Sequence, residues 1–365
     1  MNGDSVTRRN WLRGSALAAP ALVELASCQP PVRPKHESTI AHSGNSPGKL
    51  QGVEAILEGL PPLLRKRAPE DWRWIANAPA TVGLLMISSA APYLAGYRKA
   101  FDVECRRLNL NVIALDANND PAVQASQAED LVAKRVDVLG FWPVDARAIV
   151  PSVQNAFSRG IPLVCTNSWP ESSVVDCFQS FIGASMVEEG IMAAQIMAEA
   201  LSKRGKVAVI EGNPGQDATF WRSKAFLDEL NRIAPEIQVL DKQTARWDRA
   251  RAITVAENFL TSYPDLDGVM AQNDDMAIGA MHAVEGAGRQ GKVKIVSIDA
   301  SREGLEAVRD GKLFGTCTQS PSFEGLYTAR VARDVANGWP PPPRWIRNPV
   351  IRVDKSNVLS VFGDW

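Results

Sequence analysis

The chain runs to 365 residues, long enough for two domains of ordinary size, and its 45% hydrophobic residues supply a large core. Lys and Arg number 40 against 41 Asp and Glu, so there is no basic field to draw nucleic acid. Only 3 His occur, His36, His42 and His282, which is poor material for a histidine-based catalytic site or a zinc site.

At the N-terminus, Arg8-Arg9 and Trp11-Leu12-Arg13 precede a mostly apolar run. This resembles a twin-arginine export signal. The run ends in Leu25-Ala26-Ser27-Cys28, which resembles a lipobox with Cys28 lipidated as the mature N-terminus. Glu24 inside the run departs from that pattern. A short buried helix is the other reading, since the run is too short to span a bilayer. Residues 1–28 are thus expected to be a signal. Residues 29–77 are expected to form a flexible tether, rich in Pro, Ser and Gly, and then an extra helical segment around Leu60-Pro61-Pro62, Trp72 and Trp74. That segment packs on the body or binds a partner. One residue carrying two acyl chains suffices for stable membrane anchoring. Export also permits disulfides. Cys165 and Cys177 flank a short loop and could pair, or could be buried free thiols like Cys105 and Cys317.

From Thr81 onward, short apolar runs alternate with helical periodicity. Strands are predicted near 81–87, 111–116, 137–142, 162–166, 178–182, 206–211, 237–243, 268–271, 293–298 and 314–318. Helices are predicted near 92–108, 121–134, 146–159, 186–203, 218–233, 249–262, 274–286, 301–310 and 322–337. Strand then helix, repeated, means an α/β protein with helices on both faces of parallel sheets, and so many strands suit two sheets better than one. Pro92 and Pro121 stand at first-turn positions, and Asp248, Asp274 and Ser301 are cap-type residues.

In open α/β sheets, ligands bind at the carboxyl ends of the strands. Those ends here carry Ser88, Tyr93, Trp142, Asn167, Ser168, Trp169, Asp217, Trp221, Arg222, Trp247, Asn273, Asp299 and Gln319. The set mixes aromatics, amides, carboxylates and a guanidinium. It contains no metal-ligand cluster and no nucleophile–base pair, so no cofactor, metal or enzymatic reaction is implied. Aromatic rings stack on the apolar faces of a sugar, while forked polar groups engage neighbouring hydroxyls. Each residue also has a structural reading: Asp248 and Asp274 as helix caps, Arg222 as a surface charge, Trp142 as a core aromatic.

The blocks LDANNDPAVQASQAEDL (115–131), GIPLVCTNS (160–168), WDRARAITVAENFL (247–260), AQNDDMAIGA (271–280), IVSIDAS (295–301) and DGKLFGTCTQSP (310–321), in this order and spacing, resemble the ribose-binding protein family of bacterial ABC importers. The resemblance covers roughly 82 to 353. It implies a type I periplasmic binding protein fold, two doubly wound parallel-sheet lobes joined by a three-crossing hinge, with residues 78–183 plus 320–347 in one lobe and 184–319 plus 348–365 in the other. It implies that Tyr93 and Trp247 sandwich a sugar ring, and that Asn167, Arg222, Asn273, Asp299 and Gln319 hydrogen-bond its hydroxyls, with Asp274 left to cap the helix. Where the family has Asn-Asn-Pro-Phe-Phe, this chain has Ala90-Ala91-Pro92-Tyr93-Leu94, and the family's Asp-Arg becomes Asn167-Ser168, with Trp169 filling the vacated volume. The ligand implied is therefore a sugar other than ribose, or a polyol.

The expected protein is an exported, membrane-anchored monomer that hands its ligand to an ABC permease and binds no nucleic acid; presentation to a chemoreceptor or sensor kinase is the rival reading. GAGRQG (286–291) mimics a dinucleotide motif but follows a helix and precedes a strand, so it reads as a turn.

Overall fold

The computed structural model describes residues 79–338 and 342–365. The expected signal over 1–28, with Cys28, and the tether and extra segment over 29–77 lie outside the described residues.

The alternating pattern folds into two six-stranded sheets. The first contains β1 (Thr81–Met86), β2 (Asn111–Asp116), β3 (Val138–Phe141), β4 (Leu163–Thr166), β5 (Ser180–Gly183) and β11 (Trp345–Arg347), in the order β11-β5-β4-β3-β1-β2. The second contains β6 (Arg204–Glu211), β7 (Glu236–Thr244), β8 (Gly268–Ala271), β9 (Lys294–Val296), β10 (Gly315–Cys317) and β12 (Arg352–Asp354), in the order β12-β10-β9-β8-β6-β7. The second winding repeats the first, with parallel neighbours apart from β12 on β10. This is the type I periplasmic binding protein architecture. β3, β4 and β8 are buried along their whole length, and apolar apart from Thr166, because helices cover both sheet faces. Alternate residues serve different layers: Leu85, Leu139 and Leu163 face one side of the first sheet, and Leu84, Val138 and Val164 the other.

Around the first sheet lie α1 (Pro92–Arg107), α2 (Pro121–Ala133), α3 (Val150–Ser158) and α9 (Pro321–Ala336). Around the second lie α4 (Met186–Ala200), α5 (Asp217–Ile233), α6 (Arg249–Ser262), α7 (Asp274–Gly286) and α8 (Arg302–Arg309). Side-chain caps start many of them: Asp120, Ser185, Asp248, Ser301 and Ser320 each accept a first-turn N–H. The chain passes between the sheets after β5, after β10 and after β11. Both lobes belong to one compact unit.

All the strands and helices expected from periodicity are present. β11 and β12 were not anticipated; each has three residues and exists only through its partner, as in the pairing of Trp345 with Phe181. α3 starts at Val150, not near 146, because Asp145 accepts from the Arg147 and Ala148 amides and holds a turn there. Cys165 and Cys177 are free thiols, as are Cys105 and Cys317; the buried Cys165 thiol donates to the Ser168 carbonyl at 3.2 Å.

α9 lies directly on α1, and Gly325 allows it. A Cβ there would stand 2.3 Å from the Tyr97 carbonyl oxygen and 2.9 Å from the Phe101 nitrogen, both backbone atoms that cannot swing aside. Gly325→Ala is therefore expected to destabilise the fold by about 1–3 kcal/mol, the usual cost of overpacking. Urea denaturation measures it; an unchanged midpoint would mean that the two helices can part at no cost.

Candidate functional site

The carboxyl ends of the two sheets face one another across a cavity of about 230 Å³. That is smaller than the ~300–1,000 Å³ of pockets for drug-sized ligands, and suits a smaller molecule. Tyr93 and Asn167 line it from the first lobe. Arg222, Trp247, Asn273 and Asp299 line it from the second, and Gln319 from the crossing after β10. Trp169 is the exception. Its ring is 1% exposed inside the first lobe, stacked on Phe181 with centroids 3.4 Å apart and edge-on to Trp345, so it fills core and does not reach the cavity. Trp221 also lies elsewhere, edge-on to the exposed Phe220.

In the second lobe, Trp247 follows Arg246, and both have left-handed backbones (φ 63° and 56°) that turn the indole back over the loop after β6. Its Nε1 donates to Gln216 Oε1 at 2.6 Å. Its ring lies flush on Gly212, where a Cβ would come within 2.0 Å of it. The Arg222 guanidinium stands 5.6 Å from the ring centroid. Arg222 is buried, yet well satisfied: it donates to Glu189 (2.7 Å), to the Gln272 carbonyl (2.7 Å) and to Gln319 Oε1 (2.6 Å). Burial opposes its charge, but Glu189 and Asp299 hold its pKa above the ordinary value. Burial also pushes the Asp299 carboxyl well up, against the pull of Arg222. The Nε2 groups of Gln319 and Gln216 are buried with no partner among the described residues.

Asn273 lines the cavity as expected, but it also takes the capping role expected of Asp274. Asn273 is the N-cap of α7, its Oδ1 accepting from Met276 N–H at 2.9 Å, and it still lines the cavity, with Nδ2 left over for a ligand. Asp274 is fully buried and ties strand ends together, accepting from the Ser301 amide (2.7 Å), the Thr316 hydroxyl (2.9 Å) and Ser297.

In the first lobe, Tyr93 Oη donates to Glu324 Oε2 at 3.0 Å, and Asn167 Nδ2 donates to the same oxygen at 2.8 Å. Trp142 lines the cavity edge-on to Tyr93, with Nε1 donating to Ser168 Oγ at 3.3 Å. Sequence reasoning missed Gln216 and Glu324. Gln216 sits beside Asp217, which was singled out, but a lone amide in a loop carries no signal. Glu324 stands in the first turn of α9, where an acid is unremarkable beside the helix dipole.

The lobes touch over the cavity mouth. Ala146 N–H donates to the Gly215 carbonyl at 3.2 Å, and Asn213 Nδ2 to Asn119 Oδ1 at 3.4 Å. Asp217, buried in the second lobe, faces the Ser168 hydroxyl and the Trp169 amide across the gap; burial pushes its carboxyl to about 7.

Comparison with known proteins agrees with this geometry. Residues 82–339 match the periplasmic binding protein domain family. The ribose import binding protein of Bacillus subtilis (strain 168) is 34% identical over 274 residues, 74% of this chain and 87% of its own. A xylitol-binding protein of Mycolicibacterium smegmatis is 36% identical over 228 residues, 62% of this chain and 64% of its own. The crystal structure of an ABC transporter solute binding protein from Bacillus halodurans C-125 with bound myo-inositol superposes with a TM-score of 0.74 at 28% identity, covering 78% of this chain and 98% of that one. Two sheets wound alike, a cavity between their carboxyl edges and these likenesses together make the chain a member of the periplasmic binding protein family, of the ribose-binding type.

Proposed function

We propose that this protein captures one small, uncharged, hydroxyl-rich molecule, a monosaccharide or polyol, between its lobes and delivers it to an ABC importer. The observation that carries this is the make-up of the cavity wall: two aromatic faces, Tyr93 and Trp247, one from each lobe, with amide and acid groups between them. The rings would cover the ligand's C–H faces. Asp299 would accept from a hydroxyl, while Gln319 Nε2, Asn273 Nδ2 and the remaining Arg222 N–H groups would donate. Arg222 is already paired with Glu189, so it offers no free cation for a carboxylate or phosphate ligand. A ligand touching both lobes is bound fully only when they are shut, so it shifts the open–closed balance toward the closed form. A permease would read that form. Lipidated at Cys28 and held by residues 29–77, the body would stay at the membrane surface as a monomer.

A thermal-shift screen with D-ribose, xylitol and myo-inositol tests the reading. A ligand at a hundred times its Kd should stabilise the fold by ~2.7 kcal/mol. Asp299→Asn should abolish that shift. Asn273→Asp should abolish it too, while keeping the helix cap, because aspartate also caps but cannot donate. Full shifts in both variants would refute the site. Cys28→Ala is expected to move the expressed protein from the membrane fraction to the soluble fraction of the envelope; retention on the membrane would refute the lipid anchor.

A further inference from the structure

Glu324 is a buried carboxylate that the cavity itself does not expose. Its Oε2 accepts from two polar residues of the first-lobe wall, Tyr93 Oη and Asn167 Nδ2. Its Oε1 accepts from Asn348 Nδ2 at 3.1 Å. That same amide nitrogen donates to the Ser320 carbonyl at 3.0 Å, and the Asn348 backbone N–H donates to the Gly183 carbonyl at 3.0 Å. Gly183 ends β5 where the first crossing begins, and Ser320 and Asn348 lie on the other two crossings between the lobes. Glu324 therefore joins the cavity wall to a clasp that gathers the whole hinge.

The consequence is chemical. A phenol has one hydrogen, and Tyr93 gives it to Glu324, so toward the cavity it has only lone pairs. An amide beside a carboxylate must turn its NH2 toward the charge. Asn167 does so, and its second hydrogen points at Tyr93 Oη, 3.4 Å away. Its Oδ1, which already accepts from Ser168 Oγ at 3.2 Å, is what remains to accept. The second lobe, by contrast, buries N–H groups with no partner among the described residues, at Gln319 and Gln216.

We propose that Glu324 is a positioning residue that sets the polarity of Tyr93 and Asn167 in the first-lobe wall, making these two side chains accept hydrogen bonds only from the cavity, so that the site selects ligands whose hydroxyls facing them donate. This rests on the sugar or polyol reading above. A protonated Glu324 has a hydrogen to give, and would let Tyr93 or Asn167 turn round, so the selection depends on ionisation. Burial pushes this carboxyl up to about 7, against the hydrogen bonds from Asn167, Asn348 and Tyr93. The titratable groups facing it are Tyr93 and Tyr97 on α1 and Glu189 on α4. A raised pKa means that the accepting form is complete only above about 7 and is lost as pH falls below it.

The test uses calorimetric titration of the full chain with whichever of D-ribose, xylitol and myo-inositol binds tightest, and with its mono-deoxyfluoro analogues. Fluorine keeps the size of a hydroxyl but cannot donate. Wild type should bind at least one positional isomer roughly tenfold more weakly than the parent, the loss of about one hydrogen bond. Its affinity for the parent should also fall between pH 8 and pH 6. In Glu324→Gln, both the discrimination and most of that pH dependence should vanish; Asp217 titrates in the same range, so the difference between the two proteins is the readout. Tyr93→Phe removes one donor from Glu324 without touching the acid, and should move the pH midpoint upward, a change that a packing role alone would not produce. Equal discrimination and equal pH profiles in wild type and Glu324→Gln would overturn the proposal. So would an unmoved midpoint in Tyr93→Phe, which decides the matter if Glu324→Gln does not fold. Failure of wild type to bind any of the three parent compounds would instead overturn the sugar or polyol reading, and this inference with it.

Discussion

The guanidinium of Arg222 holds the second half of the cavity together. A full charge 3% exposed is costly to bury, and Glu189, itself fully buried, is what offsets that cost. From this anchored position Arg222 reaches three separate structures: the end of β8 through the Gln272 carbonyl, the hinge crossing through Gln319, and the face of Trp247. Removing the guanidinium would strand Glu189 in the core and release all three. The pair is therefore a scaffold first. Its remaining N–H groups are free for a ligand only because the scaffold is complete.

The two lobes solve the same problem with opposite chemistry. Each sheet is wound alike and opens its carboxyl edge toward the other. On the first lobe a buried acid, Glu324, consumes the Tyr93 and Asn167 donors. On the second a buried cation has Gln319 and Gln216 beside it, whose N–H groups have no partner among the described residues. A hydroxyl both donates and accepts, so a hydroxyl-rich molecule lying between the lobes satisfies both walls at once. A molecule carrying only acceptors would leave Tyr93 and Asn167 unpaired in a buried place, at a cost of about 1–3 kcal/mol for each group.

Closure rests on few contacts. One backbone hydrogen bond and one amide pair bridge the mouth, Asp217 is set against Ser168 and Trp169, and Trp365 lies edge-on to Tyr93 with centroids 5.2 Å apart. Such a seam is small compared with either core. Asn348 ties the three crossings to each other at one stitched point.

The sequence by itself determined the alternation, and with it the parallel sheets, the layered cores and the sheet edge where a site must lie. Runs such as Val138–Phe141 are apolar throughout, and only a strand covered on both faces has use for that. It also marked Tyr93, Asn167, Arg222, Trp247, Asn273, Asp299 and Gln319, with Trp169 among them, because they follow buried strands in a chain whose blocks resemble the ribose-binding family. What it left undecided was direction. Trp169 follows its strand as plausibly as Trp247 follows another, yet one turns into the core onto Phe181 and the other out over Gly212. Adjacent Asn273 and Asp274 each suit a cap, and only the packing of Ser297, Ser301 and Thr316 draws the aspartate inward. Glu324 and Asn348 stand 24 residues apart, and Glu324 and Asn167 stand 157 apart. Contacts at that separation leave no periodicity, cap or motif behind, so the hinge clasp existed only once the chain had folded.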